Sequence, residues 1–182
     1  NFSEEEVAVI TGGPEGGADF SSLPFDHLLF TGATSIGKHV MRAASENLVP
    51  VTLELGGKSP VIISDTSNVE QSSKRIIAGK TMNAGQICLA PDYVLLPENK
   101  LDKFIMHAKE TVSTMFPSIK DNDDYTSVIN ERHYSRLKSY IDEAKDNGCE
   151  VIEINPAEED FEQQEHYKIP PTLLINPDDN LK

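Results

Sequence analysis

Cys88 lies in the stretch NAGQICLAPDYV, which spans residues 83–94. A thiolate is a strong nucleophile, and this one is preceded by a small, polar run and followed by a Pro-Asp pair that is typical of a loop. One interpretation is an exposed nucleophile on a loop between two ordered elements. The other is a free cysteine packed as a small hydrophobe. The stretch alone leaves both open.

Glu54 lies in a second stretch that could take part in catalysis, VTLELGGKSP, at residues 51–60. If 51–57 is a strand, Thr52 and Glu54 lie on one face and the apolar residues on the other. Gly56 and Gly57 follow at once, where the absence of a side chain lets a ligand or backbone approach. Glu54 is therefore a candidate base, although an ordinary outward-facing glutamate before a turn has the same pattern.

A third stretch, FTGATSIG at residues 30–37, predicts a turn from a strand into a helix. Backbone N–H groups at a helix start, with the hydroxyls of Thr34 and Ser35 nearby, form an anion site. The glycine spacing of Gly32 and Gly37 matches neither the dinucleotide fingerprint nor the phosphate loop. A structural helix cap would look similar.

Taken together, the three stretches resemble the aldehyde dehydrogenase superfamily. Its signatures appear here as Phe-Thr-Gly-Ala at 30–33, Glu-Leu-Gly-Gly-Lys at 54–58 and Gly-Gln-Ile-Cys at 85–88, with Cys88 placed 34 positions after Glu54. Further stretches, among them LPFDHLLFTGAT and DYTSVINERHYSRL, resemble the branch that holds fatty and aromatic aldehyde dehydrogenases. The resemblance covers essentially the whole chain.

The resemblance implies an enzyme that oxidises an aromatic aldehyde with NAD, or alternatively NADP, as cofactor. It implies that Cys88 adds to the aldehyde, with its own backbone N–H as an oxyanion donor, and that Glu54 activates the water that hydrolyses the resulting thioester. Small neighbours of Cys88 leave room for aldehyde and nicotinamide, and both side chains are expected to face one cleft.

The same resemblance assigns the cofactor contacts. The turn would hold the NAD pyrophosphate, and Leu55 would meet the nicotinamide end through its backbone. Many relatives have serine where this chain has Ala33, so a phosphate contact is lost or moved to Thr34 or Ser35. The cofactor-binding candidates are Gly32, Thr34, Ser35, Gly37 and Leu55.

Strands and helices alternate along the chain, which predicts an α/β fold with a largely parallel sheet. The resemblance makes this a partial three-layer aldehyde dehydrogenase fold, with the end of a nucleotide-binding domain at 1–54 and much of a catalytic domain at 55–182. The predicted strands are 6–11, 27–32, 51–57, 60–65, 92–97, 149–154 and 171–175. The predicted helices are 34–47 and 69–81, with further helical faces at 101–115 and 134–144.

The resemblance also implies that family segments upstream and downstream lie outside this chain. These hold the first strands of the nucleotide-binding fold, a lysine and an asparagine, and a second glutamate for the nicotinamide ribose. The chain is therefore expected to be an internal piece of a longer enzyme and inactive on its own.

Composition limits the partners. The net charge is −14, from 30 acidic and 16 basic residues, which disfavours nucleic acid and membranes. Only two cysteines are present, which fits a reducing compartment, and Cys149 matches no catalytic motif. The five histidines do not have the spacing of metal ligands, so no metal is expected. We expect a cytoplasmic protein that acts on a small aldehyde. We also expect it to form a homo-oligomer, namely a dimer.

Three alternative functions also fit the sequence. A fatty or medium-chain aldehyde dehydrogenase differs only in the substrate. An acyl-phosphate or CoA-linked reductase shares the thioester but not its hydrolysis, so a base at Glu54 argues against it. A non-catalytic α/β interaction module is the alternative from a different class, and the pairing of Cys88 with Glu54 argues against it.

Overall fold

The computed structural model describes residues 2–181, which pack as two compact units that divide between Gly57 and Lys58. The boundary falls inside the Glu-Leu-Gly-Gly-Lys stretch, directly after its two glycines. The nucleotide-binding and catalytic identities expected for 1–54 and 55–182 stay predictions. We refer to the two parts as the N-terminal unit and the C-terminal unit.

The N-terminal unit contains helix α1 (Pro14–Ser21), strand β1 (Leu28–Thr31), helix α2 (Thr34–Ser45) and strand β2 (Val51–Glu54). The strands pair in parallel, with Leu28 opposite Val51 and Thr31 opposite Glu54, and α2 is the crossover between them. Val40 and Ala44 lie one turn apart on α2 and are buried in one cluster with Leu28 and Val49, which packs the helix against the strands.

The predicted strand at 6–11 is wrong. Residues 7–13 have no regular structure, and Val7, Val9 and Ile10 are exposed. A strand needs a hydrogen-bonding neighbour, and in residues 2–181 none pairs with this segment. Alternation alone cannot supply that neighbour. The next element is instead α1, which the sequence did not predict and whose first residue is a proline, as is common at helix starts.

The C-terminal unit contains strands β3 (Ser59–Ile62), β4 (Pro91–Leu95), β5 (Glu150–Glu153) and β6 (Thr172–Ile175). Its helices are α3 (Val69–Thr81), α4 (Leu101–Met115) and α5 (Glu131–Asp146). Strands β3 and β4 pair in parallel, and β5 and β6 pair in antiparallel fashion. Two of the three strand pairs described in the chain are therefore parallel.

Local chemistry fixes where these helices begin. Asn68 caps α3, because its side chain accepts a hydrogen bond from the N–H of Gln71 at 2.9 Å. Asn130 caps α5 in the same way through the N–H of His133 at 3.0 Å. The predicted helices at 69–81 and 101–115 are confirmed at both ends.

One apolar core holds the C-terminal unit together, and it joins α3 and α4 to Ile63 and Ile154, the residues that follow β3 and β5. Its fully enclosed members include Val112 and Ile119, and Phe116 meets the ring of Tyr125 edge-on at 5.0 Å between ring centroids. The buried set consists of Ile63, Ile76, Ile77, Phe104, Ala108, Val112, Phe116, Ile119, Tyr125 and Ile154.

Candidate active site

Cys88 is exposed and lies in a tight turn between α3 and β4. The turn is closed by a hydrogen bond from the N–H of Ala90 to the carbonyl of Ile87 at 3.0 Å, which places Cys88 at its second position. Within residues 2–181 the backbone N–H of Cys88 has no hydrogen-bond acceptor. The thiol is accessible, so the packed-hydrophobe interpretation does not hold, and its own N–H is available to an incoming oxygen.

The backbone leading to this turn is strained. Asn83, Ala84 and Gly85 all have left-handed conformations, with φ of 50°, 52° and 75°. Each non-glycine residue held there costs roughly 1–2 kcal/mol. Gly85 has a further constraint, because a Cβ at that position would lie 3.2 Å from the carbonyl oxygen of Lys80. Such strain persists only where the surroundings enforce it, and it is common at functional sites.

The side-chain amide of Gln86 fastens this backbone to a distant segment. Its Nε2 donates to the carbonyl of Asn83 at 3.1 Å and to that of Ser127 at 3.0 Å. Its Oε1 accepts the N–H of Ile129 at 2.9 Å. The loop that carries Cys88 is therefore tied to residues 127–129, about forty positions further along the chain.

Glu54 ends β2 in the N-terminal unit, with an exposed side chain. Val51 and Leu53 are half-buried while Thr52 and Glu54 are exposed, so the predicted division of strand faces is confirmed. The carbonyl of Glu54 accepts the N–H of Gly32 at 3.0 Å, which joins two of the sequence motifs. The Glu54 carboxylate makes no hydrogen bond or ion pair in the described part of the chain.

The start of α2 presents free donors. Its N-cap is Ala33, which has no side-chain oxygen, and Thr34 and Ser35 are exposed. Among residues 2–181 no acceptor is paired with the N–H of either residue. Unpaired N–H groups with nearby hydroxyls match the donor set that binds a phosphate. The helix start therefore fits the pyrophosphate of a dinucleotide.

Gly37 has a different position from the other turn residues. It lies in the first turn of α2 and is buried, and a Cβ there would lie 2.9 Å from Cδ2 of Leu55. The glycine thus lets α2 pack closely against the residue that follows β2. Gly37 and Leu55 are brought together, but the observed contact is one of packing.

The candidate residues divide between the two units. Cys88 belongs to the C-terminal unit, and Glu54, Leu55 and the helix-start residues belong to the N-terminal unit. The sequence did not identify Gln86 as a structural tie. Its place within the Gly-Gln-x-Cys signature was an available signal, whereas no local signal pointed to Ser127 or Ile129.

Among residues 2–181, no group of three or more His, Cys, Asp or Glu residues has the arrangement of a metal site. No helix in the described part of the chain combines the length and the apolar composition that are needed to cross a membrane.

Comparison with known proteins identifies relatives over the full chain. The aldehyde dehydrogenase family model matches residues 2–182. A probable coniferyl aldehyde dehydrogenase of Caulobacter vibrioides is 62% identical over 181 residues, which are 100% of this chain and 37% of that protein. The chain thus spans little more than a third of the length of this relative.

Solved structures agree with this match. The substrate-bound AldH of Staphylococcus aureus superposes with a TM-score of 0.82 at 40% identity, over 95% of this chain and 36% of that one. A mutant of aldehyde dehydrogenase C from Pseudomonas syringae, in complex with NAD+ and octanal, superposes with a TM-score of 0.80 at 25% identity, over 94% and 36%. The predicted partial α/β aldehyde dehydrogenase fold is confirmed, and the chain belongs to the aldehyde dehydrogenase family.

Proposed function

We propose that this chain is part of an NAD(P)-dependent aldehyde dehydrogenase that oxidises an aromatic aldehyde, coniferyl aldehyde to ferulate, with Cys88 as the nucleophile. The observation that carries the mechanism is the exposed Cys88 turn with its unpaired N–H. The choice of substrate is supported by the 62% identity to the Caulobacter protein.

The proposal includes a longer protein. Because the chain covers 37% of that relative, we propose that the complete enzyme has further segments and that these 182 residues do not oxidise aldehydes alone. Apolar side chains such as Val9, Ile10 and Leu48 are exposed. Their exposure supports the proposal that other segments or a second copy cover this surface. A homo-oligomer, expected to be a dimer, is part of the proposal.

Cys88 performs the first step. Its thiolate adds to the aldehyde carbon, which forms a C–S bond and places a negative charge on the former carbonyl oxygen. The free N–H of Cys88 donates to that oxygen and stabilises the charge as it develops. The left-handed run before the turn and its tie through Gln86 hold the thiol on a defined backbone.

The N-terminal unit supplies the cofactor site. The N–H groups at the start of α2, with the hydroxyls of Thr34 and Ser35, bind the pyrophosphate of NAD(P). Gly32 follows β1, where an added Cβ would lie 2.6 Å from the Phe30 ring, so the turn needs a glycine there, and Gly37 keeps α2 close to Leu55. The chemistry that a bound NAD(P) supplies is hydride acceptance, which converts the adduct on Cys88 into a thioester.

Glu54 performs the hydrolytic step. Its carboxylate takes a proton from water, the resulting hydroxide adds to the thioester carbon, and the C–S bond breaks to release the acid and the Cys88 thiolate. The exposed carboxylate, with no other partner in the described residues, supports this role. The role also distinguishes the proposal from a reductase that passes its acyl group to phosphate or CoA.

Replacing the sulfur tests the proposal. In the complete protein, Cys88→Ser should lower the rate of NAD(P)-dependent oxidation of coniferyl aldehyde below a few per cent, because a hydroxyl without its own base is a poor nucleophile at neutral pH. Cys149→Ser is the matched control and should keep most of the rate. A Cys88→Ser protein of nearly full activity would refute the mechanism.

The choice of aldehyde needs a separate comparison. The kcat/KM for coniferyl aldehyde should exceed that for octanal, which is the ligand of the Pseudomonas syringae complex. The reverse order would leave the mechanism in place and assign the enzyme to medium-chain aldehydes.

A further inference from the structure

We propose that Gln86 is a positioning residue for the Cys88 thiol: its amide anchors the strained loop before Cys88 to residues 127–129. The inference rests on the proposed role of Cys88 as nucleophile and adds the device that fixes its place. Among the described residues Gln86 makes no hydrogen bond to the Cys88 sulfur, and the proposed mechanism gives it no contact with the substrate. It acts through the backbone.

The first observation is the chemistry of the Gln86 side chain. It donates to two carbonyl oxygens, of Asn83 and Ser127, and accepts one N–H, of Ile129. Only a primary amide offers two donor hydrogens and an acceptor in one planar group. A carboxylate would lose both donors, and a thioether would lose all three bonds. The position is therefore specific for its residue type.

The second observation is that the anchor itself is fixed. Val128, between the two contacted residues, is 5% exposed, and its N–H donates to the carbonyl of Tyr167 at 3.0 Å. Asn130, the next residue after Ile129, caps α5. The 127–129 segment is thus held by the unit's packing and by the start of a helix, so it can serve as a rigid reference for the loop.

The third observation is the need for such a tie. Asn83 and Ala84 have left-handed backbones, which cost roughly 1–2 kcal/mol each, and without external contacts they would relax. The Gln86 amide holds the carbonyl of Asn83, at the start of the run, and lies two residues before Cys88. A change in this short span moves the sulfur directly.

The test is Gln86→Met in the complete protein, a change of similar size that removes all three hydrogen bonds. The kcat for aldehyde oxidation should fall about 100-fold, the loss expected for a reacting group misplaced by about 1 Å, while KM for the aldehyde changes little. Amide hydrogen exchange at Ile129 should accelerate, because its N–H loses its acceptor.

Gln164→Met is the matched control. The Gln164 amide likewise joins separate segments: it donates to the carbonyls of Phe161 and Lys168 and to the hydroxyl of Tyr134 on α5, and it accepts the N–H of Lys168. No hydrogen bond in the described residues joins it to the Cys88 loop. We expect a comparable drop in melting temperature for the two variants, but kcat within about threefold of the parent for Gln164→Met.

The outcomes separate the two proposals. If Cys88→Ser is inactive but Gln86→Met keeps kcat within about threefold, or if Gln164→Met loses as much kcat as Gln86→Met, the positioning role is wrong and the nucleophile assignment stands. If Cys88→Ser is active, the proposed function fails first, and the exchange rate at Ile129 still reports whether the tie exists.

Discussion

Gly85→Ala is the substitution for which the structure gives the sharpest expectation. Gly85 has φ of 75°, and an added Cβ would lie 3.2 Å from both the carbonyl oxygen and Cε of Lys80. The long Lys80 side chain can move aside at little cost. Its carbonyl cannot, because it belongs to the last turn of α3. The new methyl therefore has to displace backbone.

Gly148→Ala provides the control. Gly148 follows α5 with φ of 80°, and an added Cβ there would meet nothing within 4 Å. Both substitutions force alanine into the left-handed region, at roughly 1–2 kcal/mol, and both restrict the unfolded chain equally. The difference between them isolates the contact with Lys80. Overpacking of this kind costs about 1–3 kcal/mol, so Gly85→Ala should be the more destabilising by that amount.

The measurement is urea denaturation of the two variants and the parent protein, followed by far-UV circular dichroism because the chain has no tryptophan. For an unfolding slope of 1–3 kcal/mol per molar urea, the midpoint of Gly85→Ala should lie roughly 1 M below that of Gly148→Ala. Equal midpoints would refute the reasoning, since they would mean that the loop before Cys88 adjusts freely and stores no strain.

Three other results are expected. In the complete enzyme, Glu54→Gln should keep the pre-steady-state burst of NADH and lose turnover, because hydrolysis of the thioester needs the base; loss of both in equal measure would remove Glu54 from that role. Burial raises the pKa of the Tyr125 hydroxyl, which donates to the carbonyl of Ile169 at 2.8 Å. The buried hydroxyl stabilises the fold fully below the unfolded pKa of about 10, and this stabilisation is lost as the pH rises further. Tyr125→Phe should therefore lower the free energy of unfolding by about 1 kcal/mol at neutral pH and reduce its decline at alkaline pH. The same decline in the variant as in the parent would contradict this. The 182-residue chain alone should show no heat of binding in calorimetric titration with NAD, and micromolar affinity would overturn the proposal that its site needs further segments.

Much of the fold followed from local sequence. The helix at 101–115 was predictable because its apolar residues repeat at the helical period, and the helix at 69–81 was predicted with the bounds that the structure has. The strand face that exposes Glu54 followed from alternation alone. These features depend on residues a few positions apart, which is the range over which a pattern in sequence carries information.

The candidate nucleophile and base were also recognisable from sequence, because their motifs combine residue type with spacing. The sequence predicted the loop around Cys88 but not its left-handed run, since Asn83 and Ala84 are compatible with many turns. At 6–11 the sequence instead predicted a strand that the structure does not contain, because this strand-like pattern has no pairing partner among the described residues.

The identity and spacing of Cys88 and Glu54 were thus determined by the sequence, whereas the support of the Cys88 loop was decided by tertiary structure. Gln86 meets Ser127 and Ile129 across more than forty positions, and Gly37 is required because Leu55 packs against it. Hydrogen bonds and close contacts depend on separations of a few ångströms in space. Only folding brings such distant positions to that separation, so no local pattern could have shown them.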